Sequence, residues 1–400
     1  MNTLARAHRP CPCCGANDCA TLYYNRMAPI GGFDMSYRVG RCDHCGFLYA
    51  GELPNSDCYA LYYKALSKYD QISSLNQIPE VDKVRANATV ALCERYVDRN
   101  QIIADLGCGV GHLLHVFRQA GWQAVHGIDP APSAPQCAND LFGLTGVQCG
   151  LLADATACLP LSRIGLVCLT GVLEHLWSPR DDLANLFTQL QPGTFVLIEV
   201  PALERFDRPP CEPYGEFSLE HIQYFSAQSL HNFMNAAGAI TISIDLLDLA
   251  PEATDSLLGL FRIGSDNLTP LPPISNNSDG ERLGAYLDRS SRSLERAIAT
   301  LGTLPGPWIL YGAGSHTARL LPILAERSLD QNITCIVDGN ANLQGQQLGR
   351  WIISSPDLLD THPSITVAIS SFRAQRVIYR TLSSRYSNPL LCLYPMPDVP

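Results

Sequence analysis

Residues 102–117 read IIADLGCGVGHLLHVF. An apolar run ends on Asp105, then Gly107, Gly109 and Gly111 follow at alternate positions, and a helical pattern begins at once. An apolar strand that turns through glycine into a helix is the opening unit of an α/β sheet. The spacing is G-x-G-x-G after an acid. It differs from the G-x-G-x-x-G loop that receives a pyrophosphate.

Outward from this stretch the pattern repeats. QAVHGIDP, IGLVCLTG and TFVLIEVP read as the next strands, with HLLHVFRQAG and DDLANLFTQL as helices between them. Strand–helix alternation predicts a parallel sheet with helices on both faces. ITISIDLL and SLLGLFRIG predict a closing antiparallel pair. Asp129 stands at the end of the strand after the glycine loop, 24 residues beyond Asp105. A carboxylate there can accept both hydroxyls of a ribose. Residues 264–280, rich in Pro, Asn, Ser, Asp and Gly, read as a linker, and 281–301 as a helix. The alternation then restarts with WILYGAG, ITCIVDG and ITVAIS. The expected division is therefore a front module and connecting segment at 1–75, an α/β domain at 76–263, linker and helix at 264–305, and a second Rossmann-like domain at 306–400.

The front module is cysteine-rich. Cys11 and Cys14, then Cys42 and Cys45, each fit C-x-x-C-G, with 27 residues between the pairs. Four thiolates at this spacing suit a tetrahedral zinc ion, and such a closed shell leaves no position for water or substrate. A structural zinc is the expectation, with Cys19 and His44 as weaker alternate ligands. The other cysteines are scattered, mostly in apolar stretches, where they read as small buried hydrophobes.

Composition narrows the function classes. The chain has 400 residues, too many for one compact core. Its net charge is −10, which argues against a nucleic-acid backbone or an anionic membrane as partner. No apolar run is long enough to span a bilayer, and MNTLARAHRP carries no apolar signal region, so a cytoplasmic location is expected. Lysine stops at Lys83, which removes a Walker loop or a pyridoxal Schiff base from most of the chain.

The glycine loop with Asp105 and Asp129 resembles motif I and the following acid of class I S-adenosylmethionine (SAM) methyltransferases. LTGVLEHLWSP resembles that family's LEH motif, giving Glu174 and His175, and LQPGTFVLIEVP resembles the turn and strand that follow. Gly165 stands where the family often has Asp. The resemblance implies a class I methyltransferase Rossmann-like fold and SAM bound by Asp105, Gly107, Gly109, Gly111 and Asp129.

The window EFSLEHIQYFS, residues 216–226, places Glu220 and His221 in a loop after the fifth strand. Ligands of open α/β folds bind at that sheet edge. A neutral His suits proton abstraction near neutral pH, and a carboxylate beside it can orient it. A loop histidine also serves as ordinary polar packing. In its order of modules the chain resembles the sugar C-methyltransferases of deoxysugar pathways, which act on nucleotide-linked 4-keto sugars. That resemblance implies His221 as general base, Glu220 as its support, and His175 and Tyr69 near a developing enolate. Ser218-Leu219 stand where members often carry Tyr-x before the Glu-His pair. The expected partner is a nucleotide sugar, with no nucleic acid and no membrane. The alternatives are O- or N-methylation of another metabolite or glycan, a zinc-ribbon RNA methyltransferase disfavoured by acidic charge, and a non-catalytic SAM-binding protein.

Overall fold

The stretch IIADL is apolar on both faces apart from its acid, and it forms Ile102–Leu106, a buried strand near the middle of a seven-stranded sheet. The computed structural model describes residues 6–54, 78–208, 212–218, 220–249, 254–264 and 277–395. The order across this sheet is Ala239–Leu247, Ser256–Ile263, Phe195–Pro201, Ile164–Thr170, Ile102–Leu106, Val125–Asp129 and Val147–Cys149. The last five run parallel, and Ser256–Ile263 runs antiparallel to both its neighbours. The expected closing pair is therefore present. The three-residue strand Val147–Cys149 is too short and too polar to show in the sequence pattern.

The strand order reverses on either side of Ile102–Leu106. The crevice beyond the carboxyl ends of the strands at such a point is where open α/β sheets bind ligands. The glycine loop sits there.

The front residues fold as an antiparallel sheet in the order Arg6–His8, Leu48–Pro54, Tyr37–Cys42 and Cys19–Asn25. Its fifth strand comes from far along the chain: Gln223–Tyr224 pairs with Leu48–Pro54, in the register Gln223 opposite Tyr49 and Tyr224 opposite Leu48. A third sheet, in the order Gln347–Leu348, Trp351–Ser354, Ile333–Val337, Trp308–Tyr311, Thr366–Ile369 and Leu390–Cys392, carries the second Rossmann-like unit. Most of the expected linker 264–280 lies outside the described residues, and the helix after it is Ser278–Thr303.

The cores are shared between sheets. One buried cluster joins Cys11, Cys42, Phe47 and Tyr49 of the front sheet to Leu106, Leu173, Phe225 and Phe233. Another joins Tyr37 and Val39 to Phe217, Tyr224, Tyr286 and Ala318. Among the described residues no helix is long and apolar enough to cross a membrane.

Candidate active site and thiol cluster

The three loop glycines have φ of +87°, +52° and +82° at Gly107, Gly109 and Gly111, a region that costs side-chain-bearing residues strain. At Gly107 a Cβ would also stand 2.5 Å from Val172 Cγ2. The loop is tied to the next strand by Asp129. Its Oδ2 accepts from Gly109 N at 2.7 Å and its Oδ1 from Ala131 N at 2.9 Å. Asp129 therefore shapes the loop from the end of its strand.

Asp105 is 1% exposed, and its Oδ1 has no hydrogen-bond partner among the described residues. Burial, and then the charge of Asp129, push its carboxyl up to about 8. An unpartnered carboxyl beside a glycine loop suits a cationic ligand, which would supply the missing charge.

A cavity open to solvent runs along this loop. Among the described residues, Asp82, Asp105 and Glu199 line it against a single arginine, Arg85. Arg85 Nε lies 3.0 Å from Glu199 Oε1, and its Nη1 3.4 Å from Asp82 Oδ1. His112 also lines the cavity, and burial holds it below the ordinary histidine value, so it adds no positive charge near pH 7. An anionic chamber with one guanidinium fits a molecule carrying a sulfonium, an ammonium and one carboxylate. SAM is such a molecule.

Beyond Gly171, at the end of Ile164–Thr170, the chain makes the short helical turn Leu173–His175. A Cβ at Gly171 would be 3.9 Å from Glu174 Oε1 and 4.0 Å from Glu199 Oε2, so both acids flank this edge of the cavity. Glu174 is 3% exposed, and burial and then Glu199 push it up to about 8. His175 Nε2 stands 3.7 Å from Glu174 Oε1. The His175 and His221 rings meet edge to face with centroids 4.9 Å apart.

Backbone bonds hold this group together. Ile222 N donates to Glu174 O at 2.9 Å, and Gln223 Nε2 donates to Leu173 O and Leu176 O at 2.9 and 2.7 Å. His221 N donates to Ser218 Oγ at 3.0 Å. The front sheet then grips the loop. Tyr37 Oη donates to Ser218 O at 2.8 Å, Ala50 N donates to Ile222 O at 2.9 Å, and Arg9 Nη1 donates to Ile222 O at 3.3 Å. From the third sheet's unit, Arg319 Nη2 donates to Phe217 O at 2.6 Å. Three distant parts of the chain thus fix one loop.

The sulfurs of Cys11, Cys14, Cys42 and Cys45 all lie within 4.8 Å of one another. Cys11 to Cys45 is 3.6 Å and Cys14 to Cys42 is 3.5 Å. With zinc–sulfur bonds of about 2.3 Å, a tetrahedron has edges of roughly 3.8 Å, so the set fits that ion. Both knuckles close alike: Gly15 N bonds to Cys11 O and Gly46 N to Cys42 O, with φ of +80° and +75° at the two glycines.

The sequence reading and the geometry differ at several residues. The structure brings His175 and His221 together. Glu220 was expected to support His221; its backbone carbonyl accepts from His175 Nδ1 at 3.1 Å, and the buried acid that lies with the two histidines is Glu174. Glu174 was legible within LEH but was not assigned a role. Arg85 stood in no motif, and Glu199, though inside the stretch LQPGTFVLIEVP, was not singled out. Tyr69 lies outside the described residues.

Residues 84–243 match the family model described as a methyltransferase domain. The chain carries a class I SAM-dependent methyltransferase domain with the strand order given above. Over 158 residues it is 28% identical to the tRNA U34 carboxymethyltransferase of Desulfotalea psychrophila, covering 36% of this chain and 47% of that protein. The protein of that name from Pseudoalteromonas translucida is 30% identical over 159 residues, with 36% and 47% covered. The chain spans about half the length of these curated relatives. Among solved structures, the 1,6-didemethyltoxoflavin-N1-methyltransferase of Burkholderia thailandensis aligns with a TM-score of 0.43 at 14% identity, covering 57% of this chain and 96% of that one.

The relatives' names overturn two expectations, sugar C-methylation and the exclusion of nucleic acid. The LEH and E-H-x-x-Y-F motifs lie inside the matched methyltransferase domain, so they report a site on that fold and do not identify its acceptor. Net charge averages over the whole chain and does not describe any one surface.

Proposed function

We propose that this chain is a SAM-dependent methyltransferase that holds the cofactor along the glycine loop and presents the acceptor to Glu174, His175 and His221. The observation that carries the reading is the anionic cavity of the glycine loop, whose far edge at Gly171 adjoins the buried Glu174. When bound, SAM supplies a methyl group on a sulfonium, open to in-line attack. Asp129 accepts the ribose hydroxyls, Asp105 faces the cofactor's positive charge, and Arg85 is the cation available for its carboxylate. The Glu174–His175–His221 group deals with the acceptor's proton. Its fixed backbone supplies the orientation such a transfer needs.

The relatives' names make transfer RNA the first acceptor to assay. The group transferred is methyl rather than carboxymethyl, because among the described residues three acids against one arginine line the cavity. A further carboxylate about 5 Å from one uncompensated acid is repelled by roughly 3 kcal/mol at an effective dielectric of 20. Calorimetry should therefore show a carboxymethyl analogue of the cofactor binding at least about ten-fold more weakly than SAM. Equal affinity would remove this distinction.

Asp129→Ala should lower SAM affinity by about ten-fold or more, since bonds to a charged acceptor contribute roughly 1.5–3 kcal/mol. Asp129→Asn should retain part of the bond to Gly109 N but lose the charge. Unchanged affinity in a folded Asp129→Ala protein would refute the assignment.

The reading includes one structural zinc ion on Cys11, Cys14, Cys42 and Cys45. The matched sulfur separations and the two like knuckles support it.

A further inference from the structure

We propose that Glu174, His175 and His221 bind a divalent metal cation whose open positions face the acceptor. The inference rests on the methyltransferase reading above and deepens it. It gives His221 the role of a ligand in place of the general base expected from the sequence.

The donor set is two imidazoles and one carboxylate, with ligand atoms all within 4.8 Å of one another. This combination binds first-row divalent ions and leaves positions open for further ligands. The separations are somewhat wider than those around a bound ion, where donors at about 2.1 Å sit roughly 3.0–3.5 Å apart. Small side-chain rotations close that difference.

Three further observations point to a cation. His175 Nδ1 lies 3.1 Å from Glu220 O, and a carbonyl only accepts, so Nδ1 carries a proton. In neutral His175 the Nε2 lone pair then lies 3.7 Å from Glu174 Oε1, too far for a hydrogen bond but across a gap a cation can fill. A backbone carbonyl holding the remote ring nitrogen is the usual arrangement of a ligating histidine. Glu174 Oε2 is buried and has no hydrogen-bond partner among the described residues. Finally, Glu174 adjoins Glu199, and the guanidinium paired there, Arg85, is shared with Asp82. Among the described residues the acids here outnumber their counter-charge.

The chemistry follows directly. An acceptor oxygen in an open position of the ion loses its proton more readily. The proton passes to solvent, the oxygen's electron pair forms the new O–CH3 bond, and the pair of the breaking C–S bond stays on sulfur. The acceptor class is thus one that attacks through oxygen.

Mn2+ separates this site from the thiol cluster, because manganese favours oxygen and nitrogen donors over sulfur. The intact 400-residue chain, zinc-loaded, would be titrated with Mn2+ and followed by electron paramagnetic resonance. The expected result is one bound Mn2+ per chain, with imidazole nitrogen couplings in the spin-echo spectrum. Glu174→Gln and His221→Ala should weaken binding about ten-fold or more. No Mn2+ binding at millimolar concentration, or a bound ion without imidazole coupling, overturns the proposal without relying on any variant's folding. So does unchanged affinity in both variants. SAM calorimetry on the same samples keeps the two readings apart: SAM binding without an Mn2+ site sinks the cation alone, whereas no SAM binding sinks the reading beneath it.

Discussion

Replacing Cys42 by Ser should empty the thiol cluster of zinc and lower the melting temperature by on the order of 10 °C or more. Cys42 is fully buried, its sulfur lies 3.5 Å from that of Cys14, and it also accepts from Cys45 N at 3.5 Å. Serine is too short and too hard a donor to replace it. Structural zinc contributes about 10–16 kcal/mol to small zinc-dependent peptides, so even part of that is large against ordinary domain stability. The loss is not confined to the front sheet. Cys11 and Cys42 pack in one cluster with Leu106, Leu173 and Phe233 of the methyltransferase domain. Metal content by mass spectrometry and a thermal melt test this together, with chelator-treated wild type as the comparison. A Cys42→Ser protein with full zinc content and an unchanged melt would show that the cluster does not hold the structure.

SAM affinity should rise as pH is raised from about 5.5 to about 7.5, by up to ten-fold per pH unit. The cause is Asp105, whose carboxyl is pushed up to about 8 by burial and then by Asp129. In the empty protein it therefore carries a proton across this range. A cationic cofactor favours the ionised form, so binding releases that proton and is easier where less is bound. Above about 8 the dependence from this group ends. The surrounding groups do not reverse the sign. Burial raises Asp82 as well, and Cys108 is held well above its ordinary value by burial, then by Asp105 and Asp129, and so stays neutral. Asp105→Asn should bind SAM weakly and flatten the profile. The same shift has a counterpart in stability. A folded value above the unfolded one means Asp105's contribution is fully present below about pH 4 and is lost as pH rises through about 8. Asp105→Asn should therefore gain stability relative to wild type over that window. Calorimetry in buffers of differing ionisation heat counts the released proton. A pH-independent affinity in wild type would end this account.

How much of this was legible depended on distance along the chain. The glycine loop, Asp105 and Asp129 span 25 residues, and local pattern sufficed to place them on adjoining strands. The cysteine knuckles were equally local. The strand Val147–Cys149 escaped because three residues cannot establish a period. Glu174 was left without a role for a different reason. Glu220 is His221's neighbour in sequence, whereas the loop's pairing with the Leu173–His175 turn brings Glu174 to the histidines through contacts 45 or more residues apart. Arg85 met Glu199 across more than a hundred positions; Arg85 stood in no motif, and the stretch that holds Glu199 did not single out its acid. Acceptor identity was least legible, since it depends on surfaces that the shared domain motifs do not encode.

The pairing of Gln223–Tyr224 with Leu48–Pro54 has a consequence for descent. The loop that carries Ser218 and His221 completes its sheet with an edge that belongs to the amino-terminal segment, and Tyr37, Ala50 and Arg9 clasp its carbonyls. A recombination that exchanged residues 6–54 alone would deliver a new edge to an old loop, with the register of the pair no longer matched. The two segments must therefore be inherited together, although some 170 positions separate them. Lineages that alter one should carry compensating changes in the other, while insertions accumulate in the stretches that neither touches.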